Sequence, residues 1–287
     1  MTNIISGIRT FYKSPIMDDT KKYGIVGVPY DAGCTFKRSA AFGPSRIRDT
    51  STMLCDGVDA ETQVDVQSKI TDLNDVEYIF DAYDYNKNSL KDFSDFHLIT
   101  VGGDHGISKM TIQHAYEKYG KIQLVHFDAH SDAWTLPSNH GTFVREVIDN
   151  GWIDNITQIG IRSPSPIDVQ KYVKDNKIKS FSSFDVNNNI TSVLNHLYSL
   201  RDIPTYISVD IDVLDPSYAP GTGTPEAFGL TPMQFHELFT SLIKYKPFII
   251  GMDLVEVAPD LDSSNLTTMM AANIIWKYIA HMENNHV

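Results

Sequence analysis

Cysteine is almost absent from this chain. Among 287 residues only Cys34 and Cys55 occur. Two thiols make no disulfide framework, which excludes a small stapled fold, and they read as two small hydrophobes. Positive charge is scarce as well. There are 24 Lys and Arg against 36 Asp and Glu, a formal net charge of -12. That argues against a nucleic-acid partner, because phosphate binding needs clustered Lys and Arg. It favours solubility and weakly attracts small cations. Long apolar runs are missing, and no stretch approaches the ~20 residues of a membrane span. The opening "MTNIISGIRTFYKSP" has neither the apolar core nor the small-residue cleavage pattern of a secretory leader, so a cytoplasmic protein is expected. Gly/Ser-rich and Pro-rich linkers, low-complexity segments and internal repeats are absent too. With 42% hydrophobic and 21% charged residues, the chain is expected to fold as one domain over residues 1–287.

What is present is an alternation. Short β-branched, apolar runs at residues 23–30, 96–103, 121–129, 156–163, 177–184, 204–212 and 247–257 read as strands. Several are hydrophobic without a break, as strands covered on both faces should be. Amphipathic segments separate them. "SKMTIQHAYEKYG" has helical spacing and a terminal Gly. "TPMQFHELFTSLIKY" opens with Thr231 as N-cap and Pro232 in the first turn, and a last helix is expected over about residues 263–282. Such alternation predicts an α/β fold, a three-layer α/β/α sandwich around a mainly parallel sheet. Residues 51–96 are poorly patterned and read as connections with a short strand or helix. Ligands of such folds bind beyond the carboxyl ends of the strands.

Three of those ends carry ionisable residues. "LVHFDAHSDAW" places Asp128, His130 and Asp132 on alternate positions, which share a face if the strand continues. "SVDIDVLDP" does the same with Asp210 and Asp212, and "VGGDHGIS" supplies His105 after a Gly pair. Unpaired buried carboxylates are costly, and only Arg162 lies near enough in sequence to help neutralise them. Four carboxylates and two imidazoles match two divalent cations. Oxygen-rich ligation without thiolate suits Mn²⁺ better than structural Zn²⁺, with Ni²⁺, Co²⁺ and Fe²⁺ also compatible. Single Asp and His residues have plainer explanations. Asp104 and Asp215 fit turn or capping roles. His114, His196, His236, His281 and His286 read as core or surface residues. His126 shares the parity of the cluster but lies deeper in its strand, and reads as packing.

Taken together, "GGDHGIS", "HFDAHSDAW", "SVDIDVLDPSYAPGTGTP" and "GMDLVEVAPDLD" resemble the ordered signatures of the ureohydrolases, the arginases and agmatinases, and "GVPYDAGCTF" resembles that family's first strand. "APGTGTP" and "DLVEVAP" are closer to agmatinase. The resemblance implies an arginase-like α/β sandwich, a binuclear manganese centre, and hydrolysis of a guanidinium group to urea and an amine by a metal-bridging hydroxide. It implies that His105 and Asp132 serve one metal, His130 and Asp212 the other, and that Asp128 and Asp210 bridge. It further implies that Asp132 moves a proton, that Glu256 binds the guanidinium and that His140, in "SNHGTF", transfers protons. A homo-oligomer, trimeric or hexameric, is implied too, with agmatine and its product putrescine as the expected chemistry and polyamine biosynthesis as its setting.

The chain departs from the family pattern at Gly106, where Ser is usual, and at Ala227-Phe228, where a Gly is usual. "FKRSAAFGP" lacks a Pro-Gly and an Arg, and the loop at residues 133–139 is short and carries Trp134. Such loops wall the pocket and set specificity. A guanidino acid hydrolase is therefore a second reading, with Arg38, Lys37 or Arg162 to hold a substrate carboxylate. A catalytically retired metal-binding homologue and a deacetylase on a related scaffold are further alternatives.

Overall fold

The computed structural model describes residues 9–54, 57–76, 90–135, 137–246 and 248–285. Eight parallel strands form one sheet: β1 (Tyr23–Val28), β2 (Ile70–Asp75), β3 (His97–Gly102), β4 (Ile122–Phe127), β5 (Ile153–Ile161), β6 (Lys179–Ser182), β7 (Thr205–Asp210) and β8 (Ile249–Val255). Their order is β2-β1-β3-β8-β7-β4-β5-β6. The strands β1, β4, β7 and β8 are buried along their whole length, as their unbroken apolar character demands.

Helices cover both faces. One layer holds α1 (Gly43–Ser51), α5 (Ser183–Ser199), α6 (Pro232–Tyr245) and α7 (Leu266–Asn284), which pack on one another in turn. The other holds α2 (Ser108–Tyr119), α3 (Phe143–Asp149) and α4 (Ile167–Asp175). The two faces of β4 show the division. Val125 and Phe127 join the core beneath α5, α6 and α7, whereas Ile122 and Leu124 join the core beneath α2 and α3. The predicted three-layer sandwich is what forms, and its sheet is parallel throughout.

Local signals set several boundaries. Thr231 caps α6 through Gln234 N, and Gln234 returns the bond in a capping box, as the Thr-Pro opening predicts. Gly120 closes α2 at φ 76°, a conformation that needs no Cβ. The strand expected at residues 177–184 is shorter, because Ser182 caps α5 and turns the chain into a helix at Ser183. In the poorly patterned stretch, β2 forms an edge strand, tied to α1 by the bidentate pair of Arg48 with Asp72. Residues 55–56 and 77–89 of that stretch lie outside the described residues, as does His286. No helix among the described residues is long and apolar enough to cross a membrane.

Candidate metal centre

Neighbouring strands β3, β8, β7 and β4 all stop on one side of the sheet. His105 follows β3, Glu256 follows β8, Asp210 and Asp212 flank the end of β7, and Asp128 follows β4. The expected strand alternation is not what joins Asp128, His130 and Asp132. β4 ends at Phe127, and the chain then turns, with Asp132 in the left-handed region at φ 46°. Asp212 likewise lies in a 3-10 turn at Ile211–Val213 rather than on the strand. Turns, not pleating, aim these side chains.

The six candidates converge. His105 Nδ1 lies 3.0 Å from Asp128 Oδ2, 3.1 Å from Asp132 Oδ2 and 3.1 Å from Asp210 Oδ2. His130 Nδ1 lies 3.0 Å from Asp212 Oδ2 and 3.4 Å from Asp128 Oδ1. One ring nitrogen carries at most one proton, so it cannot satisfy three carboxylate oxygens by hydrogen bonding. Asp212 Oδ2 is buried without a hydrogen-bond partner. Burial, with the charges of Asp212 and Asp128, pushes the Asp210 carboxyl well above the ordinary carboxylate range. Burial and Asp128 also push Asp212 upward. The donor set is thus a buried anionic cage whose oxygens face common points, and it fits divalent cations in the number the charge count suggests.

Surrounding groups fix these rings. His105 Nε2 meets Ser208 Oγ at 2.9 Å, and Ser208 Oγ donates to Asp253 Oδ1 at 2.6 Å, while Thr111 donates to Asp253 Oδ2 at 2.8 Å. Such a chain sets which nitrogen of His105 keeps its proton and leaves Nδ1 for the cage. His126 is more than packing. Gln158 Nε2 donates to its Nδ1 at 3.2 Å, leaving Nε2 to donate to Asp128 Oδ2 at 2.8 Å. Both nitrogens are used, so His126 orients Asp128 and offers no free lone pair. Sequence reasoning missed Ser208, Asp253 and Gln158. Their signal was a polar residue inside an otherwise apolar buried strand.

Glu256 stands at φ 64° after β8. Its Oε1 accepts from the His105 backbone N–H at 2.9 Å and meets His140 Nδ1 at 2.8 Å, while Oε2 is buried without a partner. The other nitrogen of His140 lies 2.8 Å from Thr35 Oγ1. Burial opposes a charge on His140, but the Glu256 hydrogen bond and carboxylate outweigh it and push the imidazole up to about 9. Cys34 is close by, its thiol kept neutral by burial and by Glu256 and Asp104. Asp104 and Asp215 do cap turns, through Gly106 N and through Ser217 N respectively. Cys55 lies outside the described residues. The unusual Phe228 also has left-handed backbone, φ 64°, which is the reason a Gly would suit that place.

A cavity of about 550 Å³ opens above the cage. His130, Asp132 and Asp210 reach it from below, and Thr35, Trp134 and His140 stand in its wall. Arg162 is not available to it. Its guanidinium donates to the backbone carbonyls of Asp212 at 2.7 Å, Glu226 at 2.8 Å and Ala227 at 2.9 Å, pinning two loops together.

Comparison with known proteins identifies the scaffold. The arginase family profile matches residues 21–280. The chain belongs to the arginase family. Chicken (Gallus gallus) mitochondrial agmatinase is 34% identical to it over 88% of this chain and 79% of its own. A human (Homo sapiens) mitochondrial guanidino acid hydrolase is 33% identical over 88% of this chain and 76% of its own. The crystal structure of a hypothetical agmatinase from Burkholderia thailandensis superposes with a TM-score of 0.85 at 30% identity, covering 98% of this chain and 92% of that one. As an arginase-family member the chain is a hydrolase, and its buried His/Asp cluster is of a kind that binds metal.

Proposed function

We propose that this arginase-family enzyme hydrolyses a small guanidino compound with a cationic tail, agmatine, to urea and putrescine. The observation that carries the reading is the character of the cavity. Among the described residues, no Lys or Arg lines it. Ser163 and Thr135 of its wall hydrogen-bond the carboxylates of Glu226, at 2.8 Å, and Asp168, at 2.9 Å. An acidic, cation-free pocket favours an amine tail and disfavours a carboxylate. Trp134 adds a flat apolar wall that suits an alkyl chain.

In this reading His105, Asp128, His130, Asp132, Asp210 and Asp212 hold two Mn²⁺. When bound, such a pair supplies Lewis-acid activation of water near neutral pH. The chain's own groups do the rest. Asp132 accepts the proton of the attacking water at a carboxylate oxygen and returns it to the departing nitrogen. Glu256 Oε2 lacks a partner, and it holds the planar guanidinium cation. His140 shares a proton with Glu256 at Nδ1 and moves protons at the site, while its other ring nitrogen accepts from the Thr35 backbone N–H at 3.2 Å, which fixes the ring. Residues 1–287 act as one unit in this scheme.

A second reading, a guanidino acid hydrolase, is favoured by the human relative of that name, whose identity nearly equals that of the agmatinase. It needs a cation from outside the cavity wall, and Lys37, which sits over the Phe36 ring, or Arg38 would have to swing in. The deciding experiment measures urea release by Mn²⁺-loaded enzyme from agmatine, arginine, 4-guanidinobutyrate and 3-guanidinopropionate. A higher kcat/KM for agmatine is expected. A reversed ratio establishes the acid hydrolase, and no urea from any of the four ends both readings.

A further inference from the structure

In the helical layer that holds α6 and α7, outside the cage, a second set of metal-ligating side chains meets. His236 on α6, His281 on α7 and Glu61 on the loop before β2 offer ligand atoms that all lie within 4.8 Å of one another. His236 Nε2 is 3.1 Å from Glu61 Oε2, and His281 Nε2 is 3.5 Å from Glu61 Oε1. The two rings face each other at 6.0 Å and 71°. Neither histidine carried a signal in the sequence, because they are 45 positions apart and each looks like an isolated helix residue.

Two features set this cluster apart from an ordinary ion-pair patch. The first is an orphan. His281 is only 8% exposed, and its buried Nε2 makes no hydrogen bond, its contact with Glu61 Oε1 at 3.5 Å being an ion-pair approach only. Burying an imidazole nitrogen unpaired is unfavourable, and it persists only where something else compensates. The second is redundancy. Of the two carboxylates that Lys277 bridges, Asp59 is the nearer. Its Oδ2 takes Lys277 Nζ at 2.8 Å and Trp276 Nε1 at 3.2 Å, and its Oδ1 takes the backbone N–H groups of Glu61 and Thr62. Lys277 Nζ also donates to Glu61 Oε2, at the longer distance of 3.2 Å, so an ion held by Glu61 and the histidines would replace that contact while Lys277 keeps Asp59.

We propose that Glu61, His236 and His281 form an additional metal site for a borderline divalent cation such as Zn²⁺, separate from the Asp-rich centre. Two imidazoles and one carboxylate form a ligand set that zinc favours, whereas an oxygen-rich cage suits manganese. Three protein ligands would leave a position open, and Glu61 and His236, with Lys277, line a cavity of about 310 Å³ that gives an ion access to them. Its role is to fasten the loop carrying Glu61 to α6 and α7.

The test uses the full chain loaded with Mn²⁺, desalted, and then titrated with Zn²⁺ against a competing chromophoric chelator. One further equivalent is expected to bind. His236→Ala and Glu61→Gln, both at partly exposed positions, should weaken that equivalent by about tenfold or more while urea release is unchanged. Anomalous diffraction at the zinc edge on crystals of the Mn²⁺-loaded wild type should place a peak between the three residues, independent of any variant. The proposal is overturned by zinc that enters only by displacing manganese at the strand ends, by a peak elsewhere, or by variants that bind the extra equivalent as tightly as wild type.

Discussion

Asp132 and Glu256, the two carboxylates assigned to proton transfer and guanidinium binding, both stand on left-handed backbone, at φ 46° and 64°. Asp tolerates that region through its short polar side chain, whereas for Glu it costs about 1–2 kcal/mol, so the surrounding structure must hold Glu256 there. Asp132→Asn keeps the size and removes the proton acceptor. Turnover should fall by about 10²- to 10⁴-fold with an unchanged far-ultraviolet spectrum, and activity within threefold of wild type would remove Asp132 from the mechanism. Glu256→Gln still accepts from the His105 N–H but loses the charge. Its kcat/KM should drop by roughly 10- to 150-fold, the worth of a hydrogen bond to a charged group. These residues were legible in sequence because ionisable groups at the ends of apolar strands are conspicuous. His126 was misread because its contact with Asp128 depends on Gln158, which comes from a neighbouring strand.

The elements act on the site through their ends. Gly103 follows β3, and a Cβ there would lie 1.7 Å from the Tyr30 carbonyl oxygen. That is backbone and cannot give way. Gly103→Ala should therefore push apart the loops after β1 and β3 and displace His105, costing about 1–3 kcal/mol together with most of the activity. Thr231→Ala makes a useful contrast. It removes the capping box of α6, costs about 1 kcal/mol by thermal unfolding, and leaves kcat/KM unchanged because no α6 residue joins the cage or lines its cavity. The capped helices were readable from local chemistry. The edge strand β2 was not, since its pairing with β1 and its tie to Arg48 join residues far apart in the chain.

At the scale of the whole molecule, the buried anionic cage links stability to metal. Stripping the protein with a chelator should lower its Tm, and Mn²⁺ should restore it, by up to about 4 kcal/mol at a thousandfold excess over Kd. A Tm indifferent to chelation would count against metal at the cage. The helical layer contributes a separate pH dependence. Burial opposes ionisation of Asp59, but Lys277 and the Thr62 donors outweigh it and lower its carboxyl to about 2. A depressed folded-state value stabilises at pH above the unfolded value of 3.8, and that contribution is lost as pH falls toward about 2. Asp59→Asn should thus destabilise by roughly 1–2 kcal/mol at neutral pH and by almost nothing at pH ~2, measured by denaturant titration.

Sequence alone determined the class of fold and which residues meet at the strand ends, because both follow from local facts: apolar runs of strand length, alternating helices, and charges where each run stops. The tertiary structure decided how they meet. It replaced strand alternation by turns, took Arg162 away from the substrate by giving it to backbone carbonyls, and enlisted His126, Ser208 and Asp253 behind the cage. It also brought His236 and His281 together, since a contact between two helices and a loop depends on packing, which no single stretch of sequence encodes.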